Sequence, residues 1–226
     1  MSTRFTSVVV IGLGLIGASF AGAYHRAYIT GVDTSSESLE EGLRRKWIQE
    51  AVLADDKKMF EAIKHADLIM ISTPVSAIAQ YFKVIADADY KGIVTDTCST
   101  KAIISKQAQE ILAYPNNYIP GHPMAGSEKS GIEGSFQGAH WVLCPDENTP
   151  AEHFAALHDM LTHLGARVVS LSRESHDEAV AIVSHVPHFV ASSLVELAVR
   201  HAGDQEALFR LAAGGFKDST RIAAGS

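Results

Sequence analysis

Short apolar runs alternate with longer amphipathic stretches along most of the chain. Ser7–Ile11 (SVVVI) is apolar throughout, the pattern of a strand buried on both faces. Leu15–His25 reads as a helix opening at a glycine turn, and Tyr28–Asp33 as a second strand. Ser36–Lys46 carries Leu39 and Leu43 four residues apart, with Glu early and Arg and Lys late, an order that matches the helix dipole. Asp55–His65 is a predicted helix with Met59, Phe60 and Ile63 inward. Leu68–Ser72 is a strand closed by Thr73-Pro74, and Ser76–Ala86 is helical. Gly92–Asp96 and Tyr118–Pro120 are predicted strands around the helix Thr100–Ala113, followed by a loop rich in Gly, Ser and Pro to about Gly138. His140–Cys144 and Arg167–Leu171 are later strands flanking the helix Pro150–Leu164. Apolar strands alternating with helices predict an α/β, Rossmann-type, doubly wound and mostly parallel sheet. After about Ser172 the strand pattern stops. Glu174–Ala202 is a long helical pattern with an expected break at Pro187, and Asp204–Ala213 is a further helix. The expected domains are therefore 1–172, a dinucleotide-binding unit, and 173–226, an all-α unit too small to enclose a core by itself.

The length of 226 residues corresponds to about one and a half average domains. With 46% hydrophobic and 20% charged residues, the chain is neither a disordered tail nor a fibre. A net charge of −7 without a basic run argues against nucleic acid or an anionic membrane as partner. Cys98 and Cys144 are too few for a disulfide framework, which fits a reducing cytoplasm. The uncharged stretch Phe5–Tyr24, with Arg4 before it and Ala21-Gly22-Ala23 near its end, has the outline of a secretory signal or a short membrane span. Gly12, Gly14 and Gly17 oppose that reading, because each weakens an apolar helix by about 1 kcal/mol relative to Ala. No other stretch reads as long and apolar enough to cross a bilayer.

Those glycines form Gly12-Leu13-Gly14-Leu15-Ile16-Gly17, a GxGxxG match placed after a predicted strand and at the start of a predicted helix. Gly12 permits the tight turn, Gly14 lets the backbone approach a pyrophosphate, and Gly17 lets helix and strand pack closely. The free N–H groups at the helix start then face the phosphates, with Leu15 and Ile16 in that first turn. Asp33 closes the second strand, where it can accept hydrogen bonds from adenosine ribose hydroxyls and repel a 2′-phosphate. Thr34-Ser35-Ser36 offers no Arg to such a phosphate, so NAD is expected over NADP. A turn without ligand and an FAD site are the alternatives, the latter without a second nucleotide signature. Ser72, Thr73 and Pro74 close one strand and Asp96 the next, at the sheet edge where α/β folds bind ligands. Ser72, Thr73 and Thr100 are equally suited to capping the helices that follow.

Gly121-His122-Pro123-Met124-Ala125-Gly126-Ser127-Glu128-Lys129-Ser130-Gly131 is the most unusual stretch. A histidine between Gly and Pro after a short strand is placed to act as a general base near neutral pH, or to bond locally to backbone. Ser184-His185-Val186-Pro187-His188 puts two histidines on one helical face, but no carboxylate or Cys completes a ligand set, so no metal is expected. His153, His158 and His163 do not share a helical face and read as surface residues. Lys217 and Arg221 share a face if their segment is helical, and Arg suits a carboxylate ligand; a solvated basic turn is the alternative.

Taken together, Gly12–Gly17, Asp33, Asp96 with Ser99 and Lys101, GHPMAGSEKSG at 121–131, SHVPH at 184–188 and GGFKDSTRIA at 214–223 resemble the prephenate dehydrogenase family, which includes arogenate and cyclohexadienyl dehydrogenases. The resemblance runs from about Val8 to the last residue. It implies a Rossmann domain followed by an all-helical dimerisation domain, NAD as cofactor, a homodimer, and oxidative decarboxylation of prephenate to 4-hydroxyphenylpyruvate. It implies catalytic roles for His122, at the ring hydroxyl, and for Ser99, bonding that hydroxyl or orienting His122. Arg221 would bind a substrate carboxylate. Ser127, Glu128, Ser184 and His188 would line the pocket, with Lys217 and Asp218 near its entrance or the dimer contact. Family members continue with further helices past the last motif, so residues 173–226 are expected to be the first part of that helical domain. A catalytically silent NAD-binding module is the alternative from a different class, opposed by His122, Ser99 and Arg221 occurring together.

Overall fold

A computed structural model describes residues 5–125, 136–202 and 213–225. Contacts divide the chain between His176 and Asp177 into two units. In the first, β1 (Ser7–Ile11), β2 (Tyr28–Asp33), β3 (Glu50–Leu53), β4 (Leu68–Ile71), β5 (Ile93–Asp96) and β6 (Tyr118–Ile119) form one sheet in the order β3-β2-β1-β4-β5-β6. Every pairing in this sheet is parallel. Between the strands lie α1 (Leu15–Ala23), α2 (Ser36–Arg44), α3 (Lys58–Lys64), α4 (Ile78–Asp87) and α5 (Ala102–Ile111).

The pleat divides the core. Val8 and Val10 face Phe20 of α1 and Tyr24 at its C-cap, while Val9 and Ile11, one residue out of step, join Phe82 and Ile85 of α4 on the opposite face. Both faces are covered, which is why these strands are continuously apolar. α2 shows how local chemistry ends a helix. The Ser35 side chain accepts from the Ser38 N–H at 3.2 Å, Glu37 lies in the first turn, and Arg44 in the last.

Three features depart from the pattern expected of the sequence. β3 does not stand out in the sequence: four residues at a sheet edge, of which only Val52 is fully buried, carry too little periodicity. The later strands do not extend the large sheet. β7 (Gly121–Pro123), inside what reads as loop, pairs antiparallel with β8 (His140–Leu143), which pairs parallel with β9 (Arg167–Ser170) in a separate three-stranded sheet. β7 is its edge strand, where a proline is tolerated. α6 (Ala151–His163) packs Leu157 and Leu161 into the same core as Trp141 and Leu143 of β8. On α6, His163 is exposed and His153 and His158 are partly exposed, the last with its ring 5.9 Å from that of Phe154.

The third departure concerns Pro187. Arg173–Ala202 is one continuous helix, made of α7 (Arg173–Val180), a π-helical segment Ala181–His185, and α8 (Val186–Ala202). The π turn lies immediately before the proline, and its wider winding absorbs the missing N–H without a break. By length and composition this helix is also apolar enough to cross a membrane, which the sequence reading did not anticipate. Within the second unit, α9 (Gly214–Thr220) and the 3₁₀ segment Arg221–Gly225 pack against α8. The expected helix Asp204–Ala213 lies outside the described residues, save for its last residue, the extended Ala213 before α9.

Candidate active site

The sheet order reverses between β1 and β4, so the crevice beyond their carboxyl ends is the natural ligand position of this fold. Gly12 opens it. Its φ is +93°, and a Cβ there would fall 2.5 Å from the Ser72 carbonyl oxygen at the end of β4. Only glycine meets both conditions. Gly17 is required for a different reason, since its Cβ would fall 1.9 Å from the Gly12 carbonyl oxygen, in the closest approach of helix to turn. Gly14 contrasts with both: nothing lies within 4 Å of its Cβ position. It is the exposed N-cap of α1, with no side chain capping the helix, and the first-turn residues Leu15 and Ile16 leave the helix start open to an anion.

A cleft of about 430 Å³ follows, lined in part by Gly12, Gly14, Asp33, Ser72, Thr73 and Pro74. Asp33 accepts from the Leu13 N–H at 2.6 Å through Oδ2 and from the Ser35 N–H at 2.8 Å through Oδ1. These bonds fix the carboxylate against the glycine turn and leave each oxygen a further lone pair. Its charge contributes to holding the Tyr81 phenol above its ordinary range, though burial is the larger cause. Ser72 Oγ accepts from Thr97 Oγ1 at 3.1 Å. Thr73 Oγ1 and Thr100 Oγ1 are buried without a hydrogen-bond partner, and neither following helix is capped by a side chain. The capping reading of these threonines therefore does not hold, and an unsatisfied hydroxyl in the cleft wall is what a missing polar ligand leaves behind. An open helix start, a ribose-height carboxylate and an orphaned hydroxyl fit a dinucleotide.

Asp96 departs from the direct cofactor contact expected of it. Its side chain is fully buried, and the protein itself fills its acceptor positions. Oδ1 accepts from Tyr118 OH at 2.7 Å and the Gly121 N–H at 3.1 Å, while Oδ2 accepts from the Cys98 N–H at 2.9 Å and Lys101 Nζ at 2.5 Å. Lys101, equally buried, also donates to the Gly121 carbonyl at 2.5 Å. One ion pair thus ties the bend bearing Cys98 and the exposed Ser99 to the residue preceding His122. Burial, then the Asp96 charge, holds the Tyr118 phenol well above its ordinary range. The same two causes push the Cys98 thiol up to about 12, so it is no nucleophile near neutral pH.

His122 sits half-buried at the centre of β7. Its Nδ1 lies 2.9 Å from Nε2 of His176, and the two rings meet edge to face at 72° with centroids 5.1 Å apart. His176 is fully buried in the first turn of α7. Nothing in the sequence around it singles it out; its significance comes from a partner 54 positions away.

In the second unit, Ser184 is half-buried in the π-helical segment, and His188 is exposed one turn further on in α8. Lys217 and Arg221 are exposed near the end of α9 and the start of the 3₁₀ segment, four residues apart in a continuously helical stretch. Ser127 and Glu128 lie outside the described residues. Among the described residues, no three His, Cys, Asp or Glu side chains are grouped to hold a metal ion.

The fold and cleft define a nucleotide-binding α/β unit joined to a helical unit. Family models agree with both. The prephenate dehydrogenase nucleotide-binding domain matches residues 18–170, and the prephenate dehydrogenase dimerisation domain matches residues 172–226. The chain belongs to the prephenate dehydrogenase family. It is 35% identical to the cyclohexadienyl dehydrogenase of Zymomonas mobilis over 98% of its length and 78% of that protein. It is 33% identical to the prephenate dehydrogenase of Bacillus subtilis over 100% of its length, and spans 62% of that relative. Among solved structures, the prephenate dehydrogenase of A. aeolicus, in complex with hydroxyphenyl propionate and NAD+, matches with a TM-score of 0.89 at 29% identity, over 100% of this chain and 80% of that one. The arogenate dehydrogenase of Synechocystis matches with a TM-score of 0.76 at 31% identity, over 98% of this chain and 80% of that one.

Proposed function

We propose that the protein is an NAD-dependent prephenate dehydrogenase, converting prephenate to 4-hydroxyphenylpyruvate and CO2 in tyrosine biosynthesis. The observation that carries this reading is the match of the whole chain to an enzyme of that name solved with NAD+ and a hydroxyphenyl ligand. When bound, NAD+ would supply the acceptor for the hydride that leaves the ring carbon bearing the hydroxyl. The glycine turn and the N-terminus of α1 bind the pyrophosphate, and Asp33 the adenosine ribose. Asp33, with no Arg in Thr34-Ser35-Ser36, favours NAD over NADP. Ser72, Thr73 and Pro74 flank the dinucleotide. His122 bonds the ring hydroxyl and takes up its proton as the hydride leaves the same carbon; the electron pair of the breaking carbon–carboxylate bond then passes through the ring to that oxygen, which takes the proton back from His122 as CO2 departs and the ring becomes aromatic. Ser99 bonds the same hydroxyl or orients His122. Arg221 binds a substrate carboxylate bidentately. Ser127, Glu128, Ser184 and His188 line the substrate pocket, with Lys217 and Asp218 near its entrance or the dimer contact.

A homodimer is part of this reading. In the single chain, Val183 is 66% and Phe189 75% exposed on the long apolar helix, a surface that a second copy would cover. Cytoplasmic location accords with a chain that has only two cysteines, both buried. The likeness to the Synechocystis enzyme supports a second reading, in which arogenate is the substrate and tyrosine forms directly. The two are separated by following NADH formation with each substrate. The first reading expects the larger kcat/KM on prephenate. NAD+ binding without turnover of either substrate would instead indicate the silent module.

A further inference from the structure

We propose that Asp55 is a specificity-determining residue that reads the base of the dinucleotide, accepting a hydrogen bond from the exocyclic amine of adenine and disfavouring a base with a carbonyl oxygen at that position. The inference rests on the assignment of the glycine-turn cleft to NAD and extends that site along the sheet. β1, β2 and β3 are consecutive parallel neighbours, so their carboxyl ends stand in a row, about 4.8 Å from one strand to the next. Gly12 follows β1, Asp33 ends β2, and Asp55 lies two residues past the end of β3. Asp33 and Leu53 are in register, and the Ala54 N–H donates to the Asp33 carbonyl at 3.0 Å. The Asp56 N–H then closes a turn on the Leu53 carbonyl at 2.9 Å. The backbone of Asp55 is thereby fixed one strand beyond Asp33. With phosphates at the glycine turn and ribose at Asp33, the base falls to the end of β3.

A cavity of about 530 Å³ occupies that place, with Asp55 in its lining. It shares Thr34, Gln80 and Tyr81 with the cleft that contains Gly12 and Asp33. Its walls include Leu53, Ala54 and Val84, and Leu53 is 43% exposed although apolar. Such a surface suits a flat ring, which a few polar groups at its edge then orient. Of the described residues lining the two cavities, the charged ones are Asp33 and Asp55. An ionised carboxylate only accepts hydrogen bonds, so this lining selects a neutral ligand that donates. Ribose hydroxyls answer Asp33, and the amine of adenine answers Asp55. Hypoxanthine carries a carbonyl oxygen where adenine carries that amine, so two acceptors would face each other. The neighbouring Asp56 has a local task, its Oδ1 accepting from the Lys58 N–H at 2.9 Å ahead of α3. Asp55 is exposed in the turn, where a substitution leaves the core untouched.

The test is calorimetry on the whole chain without substrate, measuring the affinities of NAD+ and of nicotinamide hypoxanthine dinucleotide. The unsubstituted protein, Asp55→Ala and Asp55→Asn are compared. The unsubstituted protein should bind NAD+ about tenfold or more tighter than the hypoxanthine analogue, as loss of a hydrogen bond to a charged group implies. Asp55→Ala should lower NAD+ affinity to about the level of the analogue and abolish the preference. Asp55→Asn presents an amide that accepts from an amine or, turned over, donates to a carbonyl, so it should narrow the gap by improving binding of the analogue. Equal affinities in the unsubstituted protein, or a preference undiminished in Asp55→Ala, would overturn the role of Asp55 while leaving the cofactor site standing. Failure of the unsubstituted protein to bind either dinucleotide would overturn the cofactor site and this proposal with it. Turnover of prephenate is a separate question, because binding is read without substrate.

Discussion

Two parts of the first unit, the glycine wall of the cleft and a second wall at β5 and β7, are built in opposite ways. The β1–α1 wall works by what it lacks: Gly12 and Gly17 have no room for a side chain, Gly14 leaves a space, and the helix start is uncapped. The β5–β7 wall works by what it contains, with Asp96 and Lys101 completely buried and joined through Gly121 to His122, itself in contact with His176. The first wall lets a ligand's phosphates approach backbone. The second spends buried charge to hold side chains at fixed positions. Substitutions should therefore damage the second wall through stability and geometry, and the first through ligand affinity.

The largest expected effect is at the ion pair. Lys101→Met leaves the Asp96 charge buried and unpaired, at a cost of about 3–5 kcal/mol, a large fraction of ordinary domain stability. Urea or thermal unfolding would show it; a loss below about 1 kcal/mol would mean that the pair is not the anchor described. The glycine wall supplies the contrast. Gly17→Ala should also destabilise, because its methyl group meets the Gly12 carbonyl. Gly14→Ala meets nothing in the protein, so unfolding should shift little while NAD+ affinity, read by calorimetry, drops by about tenfold or more, equivalent to roughly 1.4 kcal/mol. Equal effects of the two substitutions on folding would erase the distinction between them. The smallest effect is at Cys98. With its thiol pushed up to about 12, alkylation should be negligible near pH 8.5, where an ordinary thiol is half ionised. Rapid labelling of the folded protein there would contradict that environment.

The same contrast explains what could be read along the chain. The glycine turn, α1 and Asp33 lie within one βαβ unit, so spacing and apolar runs reveal them. The second wall depends on long-range contacts. His176 meets a partner 54 residues away and occupies an ordinary charged stretch. Asp96 looks like a ligand-edge carboxylate from its place at the end of β5, and its structural role emerges only when Gly121 is seen to fold onto it. Thr73 and Thr100 look like helix caps, yet their hydroxyls point into buried space without partners. β7 is hidden because Gly and Pro signal loop, and its pairing is with a strand beyond residue 139. Pro187 signals a break that the preceding π turn removes. Local rules succeeded wherever structure was local.

In the proposed function, the turn binds the dinucleotide while His122 serves the chemistry. His122→Asn tests it directly, with NAD+ affinity measured by calorimetry and kcat measured from NADH formation with prephenate. NAD+ affinity should match that of the unsubstituted protein while kcat drops by about 10²–10⁴-fold, the contribution of a general base. A near-normal kcat, or a loss of NAD+ affinity comparable to the loss in rate, would contradict the division of labour between the two walls.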